Sequence, residues 1–235
     1  MTIAEFSDEF DSLFMSYLRF RKFDDRQYYD SINLDEYEKS MFLTKAQEEI
    51  VKEFYNSGSF EETEEVRRAL EALVKTTNIS NDINSTSDSI EPVDGVSKIY
   101  QLPNDVWYIV YEAATLDDSS LGCKDGISAS IIPVTHDDYY RAARDPFKRP
   151  NDIRVFRLDL TSNKVELISK YTIGNYFVRY VAKPTPIVLT NISPLTINGV
   201  STATECMLNS AIHRLILDRA VYLAAVKYNL IPKSE

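Results

Sequence analysis

Val106-Trp107-Tyr108-Ile109-Val110-Tyr111 is a run of β-branched and aromatic residues with no helical period. Such a run reads as a strand, and it opens a region of the same texture. Ile127-Ser128-Ala129-Ser130-Ile131-Ile132, Arg154-Val155-Phe156-Arg157-Leu158, Val165-Glu166-Leu167-Ile168 and Tyr176-Phe177-Val178-Arg179-Tyr180-Val181 read the same way. Leu160-Thr161-Ser162-Asn163, between the third and fourth of these five runs, predicts a hairpin. Lys183-Pro184-Thr185-Pro186 then forces an extended path into Ile187-Val188-Leu189, because proline fixes φ and removes a donor.

Outward from this region the period changes to that of helices. Ile3, Phe6, Phe10, Leu13, Phe14, Tyr17 and Leu18 recur at helical spacing. Residues 21–33 lose that period and read as a connection. A second helical stretch starts at Leu34, with Asn33 as N-cap and Glu36 three residues on. Thr44-Lys45-Ala46-Gln47 repeats the capping pattern, so the stretch reads as two helices, 34–42 and 45–56, broken at Leu43. Gly58 supplies a left-handed stop, and Ser59-Phe60-Glu61-Glu62 opens a third helix with Val66, Ala69, Leu70, Leu73 and Val74 on its apolar stripe. Residues 76–92 are rich in Ser, Thr, Asn and Asp and read as a long loop. At the other end, Thr204-Glu205-Cys206-Met207 leads into a long helix ending near Tyr228, its wide apolar face set by Leu208, Ala211, Ile212, Leu215, Ile216, Ala220, Leu223 and Ala224.

The expected fold class is therefore α+β: a discontinuous α-helical body, made of N-terminal helices and a long C-terminal helix, with an inserted antiparallel β-rich region. The corresponding divisions are an N-terminal helical part at 1–76, a linker or long loop at 77–96, the β-rich insertion at 97–200, and the C-terminal helix at 201–235.

The chain has 235 residues, a formal net charge of −10, 44% apolar and 26% charged residues, and two cysteines. These values suit a folded protein and argue against wholesale disorder and a disulfide scaffold. No apolar run approaches the roughly 20 residues that cross a bilayer, and the acidic start Met1-Thr2-Ile3-Ala4-Glu5-Phe6 carries no basic n-region. A non-secreted protein with no membrane partner is expected. The charge is uneven: residues 1–96 hold 22 acids and 10 bases, residues 97–235 hold 14 acids and 16 bases. Such asymmetry suits a surface that meets different partners on different faces, although acids also coat helix faces routinely.

Catalytic patterns are missing: no G-x-S-x-G, P-loop, G-x-G-x-x-G or H-E-x-x-H occurs. His213 lies seven residues after Cys206, but two ligands do not make a metal site. Asp117-Asp118 and Asp137-Asp138 read as capping or solvated acids. A hydrolase would need His136 and Asp137 or Asp138 to converge in a pocket. The expectation is a non-enzymatic protein with no cofactor and no metal.

The most distinctive stretch is Thr135-His136-Asp137-Asp138-Tyr139-Tyr140-Arg141-Ala142-Ala143-Arg144-Asp145-Pro146-Phe147-Lys148-Arg149-Pro150. Thr135 caps a short helix with two acids in its first turn, and Asp145-Pro146 ends it. Between 141 and 157 stand Arg141, Arg144, Lys148, Arg149, Arg154 and Arg157 against two acids. Tyr139, Tyr140, Arg141, Arg144, Phe147, Lys148 and Arg149 are the candidate protein-contact residues, since Arg and aromatic side chains are favoured at interfaces. A nucleic-acid contact over 139–157 is the alternative, as phosphates attract Lys and Arg; a solvated loop is the third.

Four blocks of the sequence, taken in order, are similar to a known family. The first is Leu34-Asp35-Glu36-Tyr37-Glu38-Lys39-Ser40-Met41-Phe42-Leu43-Thr44-Lys45-Ala46-Gln47-Glu48-Glu49-Ile50-Val51. The second is Asp138-Tyr139-Tyr140 with Asp145-Pro146-Phe147-Lys148-Arg149-Pro150, where the family commonly has Asn before the Pro. The third joins Tyr176-Phe177-Val178-Arg179-Tyr180 to Lys183-Pro184-Thr185-Pro186-Ile187-Val188-Leu189. The fourth joins Cys206-Met207-Leu208 to His213-Arg214-Leu215-Ile216-Leu217-Asp218-Arg219-Ala220-Val221, where Met207 and Asn209 depart from a commoner Cys-Glu-Leu-Pro. Together they resemble virion structural proteins, tail ring or head-to-tail connector proteins, of crAss-like tailed bacteriophages. The resemblance implies a ring of identical subunits, dodecameric like the portal, with the portal protein and other tail ring proteins as partners. It further implies a lumen that passes DNA without sequence-specific binding, residence in the virion, and assembly in the host cytoplasm. No catalytic residues come with it.

Overall fold

The computed structural model describes residues 1–21, 32–56, 68–80, 83 and 89–230. Gly58, the Ser59–Glu62 cap, Val66 and most of the 21–33 connection lie outside the described residues. The chain divides into two compact units, one of residues 1–73 and 184–235, the other of residues 74–183.

The second unit is a seven-stranded sheet. Its strands are β1 (Val74–Ile79), β2 (Val96–Gln101), β3 (Val106–Leu116), β4 (Ile127–Pro133), β5 (Arg154–Asp159), β6 (Lys164–Ser169) and β7 (Ile173–Ala182), in the order β1-β7-β3-β4-β5-β6-β2. Every pairing is antiparallel except β4 with β5, which run parallel, Ser130 opposite Arg154 and Ile132 opposite Phe156. A parallel pair needs a crossover, and the helix His136–Arg144 supplies it. The β5–β6 hairpin predicted at 160–163 is present, with Ser162 and Asn163 at φ 60 and 56.

Alternation along the strands splits the side chains between two faces. One face collects Tyr100, Leu116, Ile131, Val155, Leu167, Tyr176 and Val178 into a continuous core. It also holds a charged group: the Arg157 guanidinium is paired with Glu112, and the Tyr176 hydroxyl donates to Glu112 at 2.7 Å. The opposite face is covered over β5 and β6, where Phe156, Leu158 and Ile168 meet Tyr139 and Ala143 of the crossover helix. Over β3 and β7 that face buries Ala113 and leaves Tyr111 exposed.

The first unit contains α1 (Ile3–Arg21) and α2 (Glu36–Asn56); with α3 (His136–Arg144) being the crossover helix, its last helix is α4 (His213–Lys227). The predicted stripe of α1 is buried through Phe6, Phe10, Phe14 and Leu18, and α4 packs on both α1 and α2. An extended segment runs along α2. Thr44 Oγ1 accepts from Ile187 N at 3.1 Å, Ser40 Oγ accepts from Leu189 N at 3.0 Å, and Gln47 Nε2 donates to the Thr185 carbonyl at 2.8 Å. Positions 40, 44 and 47 share one helix face, so the side chains of one turn after another hold the strap.

These observations correct the expected fold class. The chain is not a mainly helical body with an antiparallel insertion: its organising element is a curled, mixed seven-stranded sheet, with about 38% helix and 29% strand. The edge strands β1 and β2 escaped the sequence reading because β1 is polar where it faces solvent, as edge strands tend to be. The parallel β4–β5 pair is a crossover property that side-chain periodicity does not encode. Two helix boundaries also move. α2 is unbroken at Leu43 because Thr44 and Gln47 bond the strap instead of capping a new helix, and its N-cap is Asp35, whose carboxylate accepts from Glu38 N at 2.7 Å. The last helix starts at His213, after a 3₁₀ turn at Ser210–Ile212.

Candidate functional site

The contact segment is built on α3. Thr135 is the N-cap, its hydroxyl accepting from Asp138 N at 3.3 Å, with Asp137 and Asp138 in the first turn. Tyr139 is fully buried on the sheet, its hydroxyl accepting from Val93 N at 3.2 Å, and burial pushes its phenol above the usual range. It anchors the segment and is not a surface group. Tyr140, the next residue, is exposed and packs edge-on against it at 5.1 Å. Arg141 is paired with Asp138.

After the helix, Asp145 turns the chain. Its carboxylate accepts from Phe147 N at 2.9 Å, and its carbonyl accepts from Lys148 N at 3.1 Å and Arg149 N at 2.9 Å. Arg154 Nη1 clamps the turn from below through the carbonyls of Phe147, at 2.8 Å, and Lys148, at 3.0 Å. Held this way, Phe147 projects with 89% of its surface exposed. Ile153 is exposed beside it. A groove of about 400 Å³ separates α3 from β4 and β5, floored by Ile132, Val134 and Phe156 and rimmed by Asp138, Arg141 and Lys148.

The six bases of 141–157 are thus not equivalent. Arg157 is buried against Glu112, Arg154 is spent on carbonyls and Arg141 on Asp138. Arg144, Lys148 and Arg149 are exposed and make no ion pair among the described residues.

A second surface was only half legible in the sequence. In the loop between β3 and β4, Asp118 accepts from the hydroxyl of Ser120 at 2.6 Å, from Ser120 N at 3.0 Å and from Thr172 N at 3.1 Å. Those donors hold its carboxyl down at about 2. Asp125 accepts from Asp118 N at 2.8 Å, and Lys124 pairs with Asp152 at 2.7 Å. Beside the loop, Tyr111, Ala113, Thr115, Ser128, Asn175 and Phe177 line a second groove of about 400 Å³ over β3, β4 and β7. The acid pair at 117–118 was visible in the sequence; the groove required the β3–β7 register.

Of the residues named for a catalytic alternative, Asp138 lies on the rim of the first groove. His136 Nε2 meets the Asp159 carbonyl at 3.0 Å on the surface. His213 is buried between the Leu208 carbonyl and the Met1 amino group, both at 2.8 Å, while Cys206 Sγ bonds Gln47 at 3.4 Å. Among the described residues no group of three or more His, Cys, Asp or Glu could hold a metal ion, and no helix is long and apolar enough to cross a membrane.

Residues 1–235 match the family described as phage tail ring protein 3/4. The chain belongs to that family. Ring protein 3 of Bacteroides phage crAss001 is 45% identical over 237 residues, which cover 96% of this chain and 96% of that protein. Ring protein 4/5 of the same phage is 36% identical over 243 residues, covering 97% of this chain and 94% of its own length. The four blocks of the sequence therefore point to the right family, that of crAss-like phage ring proteins. A family of tail ring proteins is a family of structural, ring-forming virion components.

Proposed function

We propose that the chain is a non-enzymatic structural subunit that closes a ring in the phage tail, stacks on neighbouring rings or the portal, and leaves a lumen for DNA. The observation that carries this reading is the match over the full 235 residues, supported by two relatives that are both named ring proteins. A dodecameric ring would share the symmetry of the portal. Assembly takes place in the host cytoplasm and the product resides in the virion. The exposed residues of the α3 segment, Tyr140, Arg144, Phe147, Lys148 and Arg149, serve as a protein contact, with Arg141 on the rim of the adjoining groove and Tyr139 as their anchor. An exposed aromatic among unpaired cations suits a protein interface, where Arg and aromatic residues are enriched.

Negative-stain electron microscopy of the purified protein tests the reading. Closed rings of one subunit count are expected. A chain that stays monomeric in sedimentation velocity at every concentration, alone and with its portal, overturns it. Duplex binding that falls steeply with salt would instead favour DNA as the partner of the 139–157 segment.

A further inference from the structure

The sheet unit carries two patches of opposite sign at one end. The loop from β3 to β4 leaves the sheet where β4 begins, and the turn after α3 enters where the parallel strand β5 begins, so both lie at the same end. The intramolecular pair Lys124–Asp152, at 2.7 Å, joins them there. On the β5 side stand Phe147 and the exposed cations Arg144, Lys148 and Arg149. On the β3 and β7 side stand Asp117, Asp118 and Asp125, none of which has a cation partner among the described residues.

The acidic side also has a hole. The Asp117 carboxylate lies against Gly174, where a Cβ would stand 1.8 Å from one of its oxygens. The next residue, Asn175, lines the groove, as do the aromatic walls Tyr111 and Phe177, whose rings meet edge-on at 5.9 Å. The groove reaches Asn78 on the edge strand β1.

We propose that these patches pair between copies: the 144–149 turn of one subunit docks on the Asp117–Asp125 loop of the next, with Phe147 entering the groove lined by Tyr111 and Phe177. This rests on the ring reading. In a closed ring every interface joins two different patches of the same chain, and charge complementarity of the two patches favours a second copy as the occupant over a nucleic acid, which would meet the aspartates as repulsion.

The test uses the full chain and reads assembly by mass photometry and sedimentation velocity. Arg144→Glu with Lys148→Glu and Arg149→Glu should raise the concentration needed for assembly by about tenfold or more, the loss expected when rim charges are reversed. Asp117→Lys should do the same; among the described residues the Asp117 carboxylate makes no hydrogen bond, whereas Asp118 and Asp125 hold the loop. At the parental concentration neither variant should assemble alone, while an equimolar mixture of the two, in which the native turn of one meets the native loop of the other, should recover at least that pair. Phe147→Ala should weaken assembly and gain nothing from mixing. Unfolding curves that match the parent confirm that the folds are kept. Assembly of Asp117→Lys at parental concentrations, or a mixture that gains nothing, overturns the interface. So does normal self-assembly of the turn variant coupled with lost binding to a different ring protein, to the portal or to duplex DNA. A parent chain that never assembles, alone or with its portal, defeats the ring reading itself, and the interface with it.

Discussion

The ammonium of Lys39, on α2, lies 2.7 Å from the carboxylate of Asp11, on α1, with only 4% of the lysine side chain exposed. Glu36 completes the group at 2.8 Å. Burial by itself would lower the Lys39 pKa, but the hydrogen bonds and charges of Asp11 and Glu36 outweigh it and hold the ammonium above its usual range. Lys39→Ala and Lys39→Met alike leave two carboxylates facing each other and should cost about 2–3 kcal/mol, whereas Lys39→Met combined with Asp11→Asn and Glu36→Gln, which removes the whole charged group, should cost far less. Urea denaturation measures the single and the combined variants; equal losses between them would refute the assignment.

The Glu112–Arg157 pair predicts the same contrast inside the sheet unit. The side chains are 9% and 10% exposed. Burial, with the Glu112 carboxylate beside it, pushes the Tyr176 phenol well up, so that hydroxyl stays a donor. Glu112→Ala strands a buried guanidinium beside Asp159 alone and should cost about 3–5 kcal/mol, while the double replacement Glu112→Met with Arg157→Met should return most of it. A double-mutant cycle in urea reads the coupling directly.

His213 makes stability depend on pH. Burial depresses its pKa, and the Met1 amino group adds to this against the opposing bond to Leu208. The unfolded chain therefore takes up the proton first as pH falls. Stability should be complete above the unfolded value, about 6.5, and decline as pH drops from there towards the folded value. Urea midpoints at pH 8 and pH 5.5 should differ, and His213→Gln should flatten that part of the difference.

Two glycines separate strain from placement. Gly95 has φ +99, and a Cβ there would stand 2.1 Å from the Ser169 carbonyl oxygen, at the start of the β2–β6 ladder. Gly95→Ala should destabilise by about 2 kcal/mol or more. At Gly174 the obstacle is only the end of the Asp117 side chain, which can swing aside. Gly174→Ala should cost below about 1 kcal/mol yet shift the carboxylate. Thermal unfolding of the two variants should show the difference.

Elements set by local chemistry were legible. The buried stripe of α1, the Thr135 cap, the Asp145 turn and the β5–β6 hairpin all follow from side chains within a few residues of each other. What could not be read depends on distant partners. Thr44 and Gln47 look like a capping box until Ile187 and Thr185 arrive to take their hydrogen bonds. The Val74–Ile79 strand has β-branched residues and is still polar on its solvent side, so only its pairing with β7 reveals it. The basic patch was visible as composition, but the burial of Arg157 and Tyr139, and the clamp of Arg154 on the Phe147 carbonyl, leave Arg144, Lys148 and Arg149 as its exposed cations with no ion pair among the described residues.

The chain enters the sheet unit at Val74 and leaves it after Ala182, on strands bonded to each other, with Val74 opposite Val181. The two passages are stitched together like the ends of a purse. A segment closed in this way behaves as a cassette. Its two ends are held by its own sheet, while the strap is held by α2 within the other unit.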